Sequence, residues 1–267
     1  MLTVELRKML RRPRTWVTLT LLAGLPVIVA IFVKVTDVLP RPGTGPPLLS
    51  AIQTNGRLLA PAALAMVIPL LLPVSVAVVA GDMIAGEAQQ GTLRYLLVRP
   101  VGRTRLLWTK LLVVVLFILF AVVFVAGINY VVGLQLFGVN PVPTLSGPEL
   151  TGPEATRRIV YTVLYVGWSM LGVASVALFL STITASLLAA ALGALAVLVS
   201  STLLLTIDAA AAVQPYLPTR YWLAFVDMFR EPPLWRDIQR GVALQAVYMV
   251  VLLGASWANF QSKDITS

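Results

Sequence analysis

The stretch GDMIAGEAQQGTLRYLLVRPVGRTR, Gly81 to Arg105, lies between two long apolar runs. LAPAALAMVIPLLLPVSVAVVA (59–80) precedes it and LLWTKLLVVVLFILFAVVFVAG (106–127) follows it. Each run has the length of about 20 residues that a helix needs to cross a bilayer's hydrocarbon core. A polar, basic stretch between two such runs is expected to face water, where a soluble partner has access to it.

The rest of the chain fits that alternation. It has 267 residues, of which 58% are hydrophobic and 12% charged. A soluble domain carries roughly 25% charged residues, so the composition points to an all-α integral membrane protein. Six spans are expected, at about 15–38, 58–80, 106–137, 159–180, 183–207 and 241–258, in one transmembrane domain over 1–267. The first run is too long for a signal-peptide core and no small-x-small cleavage site follows it, so it reads as a retained span.

Charge sets the expected orientation. The net charge is +9, with 16 Arg and 4 Lys. Basic residues flanking membrane spans explain this better than nucleic-acid binding does. Six spans place both termini on one side. That side, with residues 81–105, carries 11 basic and 4 acidic residues, against 9 and 7 on the other. The basic excess predicts cytoplasmic termini.

Residues 1–14 alternate apolar Leu2, Leu6, Met9 and Leu10 with Arg7, Lys8, Arg11, Arg12 and Arg14. This is the pattern of a basic amphipathic helix in the headgroup region, ending at Pro13. On the opposite side, 39–57 and 138–157 read as loops rich in Pro and Gly. Residues 208–240 are rich in aromatics, and Trp222, Phe225 and Phe229 predict a short amphipathic helix at the outer interface. Lys34 and Asp37 are expected to pair or to snorkel toward the interface.

The chain lacks Cys and His. Disulfides, thiolate nucleophiles, Cys or His zinc sites and His bases are therefore excluded. No carboxylate falls deep inside a span, and an aspartate-rich DDxxD motif is absent. The reading is therefore not an enzyme. A secondary transporter is disfavoured because such proteins usually keep ionisable groups at midplane. Gly86 and Gly91 have phosphate-loop spacing, but Thr92-Leu93 follow where Lys and Ser or Thr are needed. No cofactor is expected on this chain; any ATP and Mg belong to a partner.

Within the insert, one helical piece is expected from Asp82 to Gln90. Gly91 breaks it, and Thr92 caps a second piece from Leu93 to Val98 that Pro100 ends. Leu93, Leu96 and Leu97 form one apolar face, ringed by Arg94, Arg99, Arg103 and Arg105. Such a knob suits a groove on a soluble subunit.

Gly86 to Lys110 resembles the signature of type-2 ABC transporter membrane subunits, in Glu87, Gly91-Thr92-Leu93, Pro100, Arg103 and Lys110. The six spans, the basic N-terminal helix, the short hairpin around Ser181–Ser186 and the closing 259–265 segment extend the likeness. The resemblance implies an elbow helix carrying Leu6, Arg7, Met9, Leu10 and Arg11. It also implies a coupling helix that docks on the ATPase through Glu87, Gly91, Thr92, Leu93, Leu96, Leu97, Arg99, Pro100 and Arg103. Two cytoplasmic ATPase subunits, a second permease copy or paralogue and membrane lipids are the implied partners, in a bacterial plasma membrane. Spans one, two and five would lie near a translocation path. Pro61, Pro69 and Pro73 kink span two, while Asn129 and Ser200 are further path candidates. Asn129 as packing glue is the plainer reading, as is close packing for the small residues Ala185, Ala189, Gly193, Ser186, Ala190 and Ala194. The expected function is export of a hydrophobic or amphipathic cargo, with a non-transporting anchor in immunity or signalling as the alternative.

Overall fold

The computed structural model describes residues 2–38, 48–89, 91, 102–139, 142–143 and 149–262. Helix α1 (Leu2–Arg11) is followed at once by α2 (Pro13–Thr36). Pro13 starts α2 because it needs no N–H there, and it forces Arg12 into an extended conformation. Thr15 Oγ1 donates to Met9 O at 2.8 Å and closes the elbow between the two helices.

Span two is broken in two places. Its first half, α3 (Leu59–Val67), ends before Pro69, and its second half, α4 (Leu71–Gly81), begins after it. A ring nitrogen at 69 cannot donate to the ladder, so the kink expected from the prolines falls there. Pro61 and Pro73 lie inside regular helix and are buried. Past Gly81 the chain widens into a π-turn, Asp82–Gly86, before a last short helix, α5 (Glu87–Gln89).

Span three is α6 (Arg103–Phe137), span four α7 (Gly152–Ile183), span five α8 (Leu187–Leu204) and span six α9 (Trp235–Ser262). Among the described residues six helices are long and apolar enough to cross a membrane, and the chain is a multi-pass helical membrane protein. Helix α7 sits centrally, packed on α4, α6, α8 and α9, while α6 packs on α2 and α3. Phe117, Leu64, Leu72, Val166 and Met170 are completely buried among them. Gly56 and Gly133 touch backbone to backbone, which any side chain at either position would prevent.

The α7–α8 hairpin is as short as expected, with only residues 184–186 between the helices. Ala190 and Ala194 are buried, and α8 packs on span two as well as on span four; Gly81 lies against Ala190 and Ala191. Ala189 is exposed.

Two expectations for residues 208–240 are corrected. The aromatic segment is a series of 3-10 turns (Asp208–Ala210, Gln214–Tyr216, Ala224–Phe229), with no α-helix. Trp222, Phe225 and Phe229 are buried in the core and form no interfacial belt. Arg158 holds this segment down, donating to Met228 O, Arg230 O and Glu231. Lys34 and Asp37 take different partners: Lys34 lies 5.7 Å from the Phe137 ring centroid, and Asp37 accepts from Gln53. Between spans three and four, Val142–Pro143 pairs antiparallel with Glu149–Leu150.

Candidate functional site

The start of the polar insert is buried, contrary to the expectation that it faces water. Met83, Ile84, Ala85 and Glu87 are at most 8% exposed. Burial follows from the π-turn, where one extra residue disrupts the α-ladder and leaves amides in need of partners. Ser181, near the C-terminal end of α7, supplies them. Its hydroxyl donates to Gly81 O at 2.7 Å and accepts from Ile84 N at 3.2 Å and Ala85 N at 2.8 Å. The Asp82 carboxylate folds over Gly86, where a side chain would collide with it.

That turn carries two carboxylates into a cluster of ions. Glu87 Oε1 accepts from Lys8 Nζ at 2.9 Å and Lys110 Nζ at 3.3 Å. Lys110 also donates to Glu5 Oε1 at 3.1 Å. Asp82 Oδ2 pairs with both Arg12 and Arg14. Three elements therefore meet through charge: α1 with its elbow, the end of span two, and the first turns of span three. Lys110 is only 3% exposed and the Glu87 side chain 9%. Desolvating such charges is expensive, and only close pairing offsets it. The cavity inside the cluster measures about 30 Å³, room for a water or two. It is thus a joint between elements and too small for a substrate.

Neighbouring bonds widen this joint. Leu187 N, opening α8, donates to Gln89 Oε1. Arg103 Nη1 donates to Gln261 O at 2.7 Å, and Gln261 and Trp257 both reach Thr104 Oγ1. Asn259 Nδ2 donates to Thr182 Oγ1. The ends of all six spans on the terminal side are so linked around the two ends of segment 90–101.

Of the residues assigned to coupling, Glu87, Gly91 and Arg103 are described. Gly91 has φ +68°, a left-handed conformation suited to glycine, at the expected break. Thr92, Leu93, Leu96, Leu97, Arg99 and Pro100 lie outside the described residues. In the N-terminal helix, Met9 is buried and Leu6 packs on the core, while Arg7, Leu10 and Arg11 are exposed. The path candidates do not converge. Asn129 is buried and donates to Val125 O and, at 3.4 Å, to Ala23 O of span one, which makes it a packing residue. Ser200 is exposed on α8, and Pro69 is exposed at the break in span two.

The ion cluster was hidden in the sequence because its members stand up to 105 positions apart. A signal did exist. Lys110 lies inside an apolar helix, and Asp82 and Glu87 end an apolar run, so all three needed partners on folding.

A family model described as "Protein of unknown function (DUF2705)" matches residues 51–266, most of the chain. The match includes Asp82, Glu87 and Lys110 but not their partners in α1. A comparison with curated proteins gives no match.

Proposed function

The chain belongs to the DUF2705 family, and we propose that it is the permease subunit of an ATP-driven transporter of the type-2 ABC kind. The observation that carries this reading is the ion cluster. It ties the entrance of segment 88–102 to α1 and to span three, so a push on that segment moves both. In this reading α1 is the elbow helix, and 88–102 is the coupling segment docked on a cytoplasmic ATPase. The terminal side is cytoplasmic, in agreement with the charge bias. Closure of two ATPase subunits displaces the segment, and the rigid joint converts that displacement into a tilt of the spans.

A second permease copy completes the complex. Spans one, five and six support this, since only 33%, 28% and 17% of their apolar windows are buried within the chain. Their remaining surfaces need lipid or another subunit. Bound ATP and Mg belong to the ATPase, and the cargo is a hydrophobic or amphipathic molecule exported across a bacterial plasma membrane.

The test is mutation of the joint and of the docking face. Glu87→Gln is expected to leave the ATPase bound but to lower transport per ATP hydrolysed. Leu93→Asp with Leu96→Asp is expected to release the ATPase. Normal assembly and transport in both variants would refute the assignment.

A further inference from the structure

Beside the ion cluster, a groove of about 220 Å³ opens between spans one and two. Thr18, Leu21 and Leu22 form one wall, and Leu71, Val74 and Val78 the other. Phe117 of span three, fully buried, is the floor. Leu71, Val74 and Val78 follow i, i+3, i+7 spacing and are each half-buried, so one face of α4 lines the groove. From Arg14 to Leu22, and from Val79 back to Leu71, the walls run about 12 Å at 1.5 Å per residue. That nearly matches one leaflet, about 15 Å of a hydrocarbon core roughly 30 Å thick.

The end of the groove nearest the chain terminus is charged. Arg14 lines both the groove and a wider polar cleft, about 640 Å³, that also contains Arg12, Asp82 and Gln89. Two guanidiniums share one carboxylate there, leaving an excess positive charge. Arg14 donates one N–H of Nη2 to Asp82, out of five N–H donors on a guanidinium, and its side chain is 45% exposed.

We infer that this groove binds one acyl chain of an anionic phospholipid from the leaflet on the terminal side, with the lipid phosphate on Arg14. The apolar walls match the chain in length, and the cationic mouth lies where the headgroup of such a lipid must be. The site touches the coupling joint through Arg14, which pairs with Asp82, so lipid occupancy and the joint share a residue. It does not depend on an ATPase, and its failure would leave the coupling assignment standing.

Purified full-length chain is supplied with phosphatidylglycerol or phosphatidylcholine in detergent, and native mass spectrometry counts the lipids retained. Val74→Trp, which fills the groove and excludes the acyl chain, is expected to cut retention of phosphatidylglycerol about tenfold. Arg14→Gln should cut phosphatidylglycerol retention by a similar factor while leaving phosphatidylcholine unchanged. Arg157→Gln, a pair on the opposite side, should change neither. Because the chain has no Cys, Val17→Cys, exposed beside the groove and labelled with a fluorophore, gives an independent reading. Quenching by phosphatidylglycerol with brominated chains should saturate, and Arg14→Gln should abolish the saturation. Equal retention in wild type and Val74→Trp, or quenching that rises linearly with lipid, would overturn the inference. So would disulfide cross-linking of two unlabelled Val17→Cys chains, which would seat a second copy at the groove.

Discussion

Lys110 holds its ammonium between Glu5 and Glu87 at 3% exposure, whereas Lys8 holds the same Glu87 from a side chain 42% exposed. The difference in solvent decides which contact matters. An exposed pair contributes up to about 1 kcal/mol, but removing one partner from a buried set costs about 3–5 kcal/mol. Lys110→Ala should therefore lower the thermal midpoint much more than Lys8→Ala in the same detergent. Adding Glu5→Gln to Lys110→Ala should restore part of the loss, since it removes one of two carboxylates left facing each other. Equal effects of the two lysine variants would show that the cluster is solvated. Ser181→Ala is a second test at this scale. It strands two amides and a carbonyl at the π-turn, at about 1–3 kcal/mol for a buried unsatisfied group. Ser181→Cys, with a weaker donor in the same place, should lose less.

The π-turn is the element on which the joint depends. One residue more than an α-turn allows sits between Gly81 and Glu87, and it sets the direction in which Glu87 points. Deleting Met83 should let α4 continue as regular helix and rotate Glu87 by about 100° around the axis. Such a chain should still insert, yet its Glu87 would leave Lys8 and Lys110. In a chain without native Cys, the pair Lys8→Cys and Glu87→Cys should be joined by a short bis-maleimide linker that spans the reach of the two native side chains. In the Met83 deletion it should not, and cross-linking there would show that the π-turn does not position Glu87. This element also marks the limit of sequence reading. Spans were legible because hydrocarbon demands long apolar helices, and Pro13 and Pro69 acted where their chemistry required. The 82–87 turn looked like a water-facing helix because its polar residues find partners far away in the sequence, from α1, the start of α2, α6 and α7. Trp222, Phe225 and Phe229 misled for a related reason: their spacing suits an interfacial helix, but Arg158 pulls the segment onto the core in 3-10 turns.

In the whole molecule, spans two and four are enclosed while spans one, five and six keep apolar faces outward. One end of the bundle is bound together by ions and hydrogen bonds, and the other is closed by Arg158 and the 3-10 turns of 208–229. A body tied at both ends moves as a unit when one end is pushed, as the proposed coupling requires. The most direct test is the composition of the complex purified from native membranes through a tag on this chain. The account predicts two permease chains with two ATP-hydrolysing subunits, an assembly lost when Leu93 and Leu96 are both changed to Asp. A chain that purifies without any nucleotide-hydrolysing subunit, or an assembly unaffected by those changes, would contradict it.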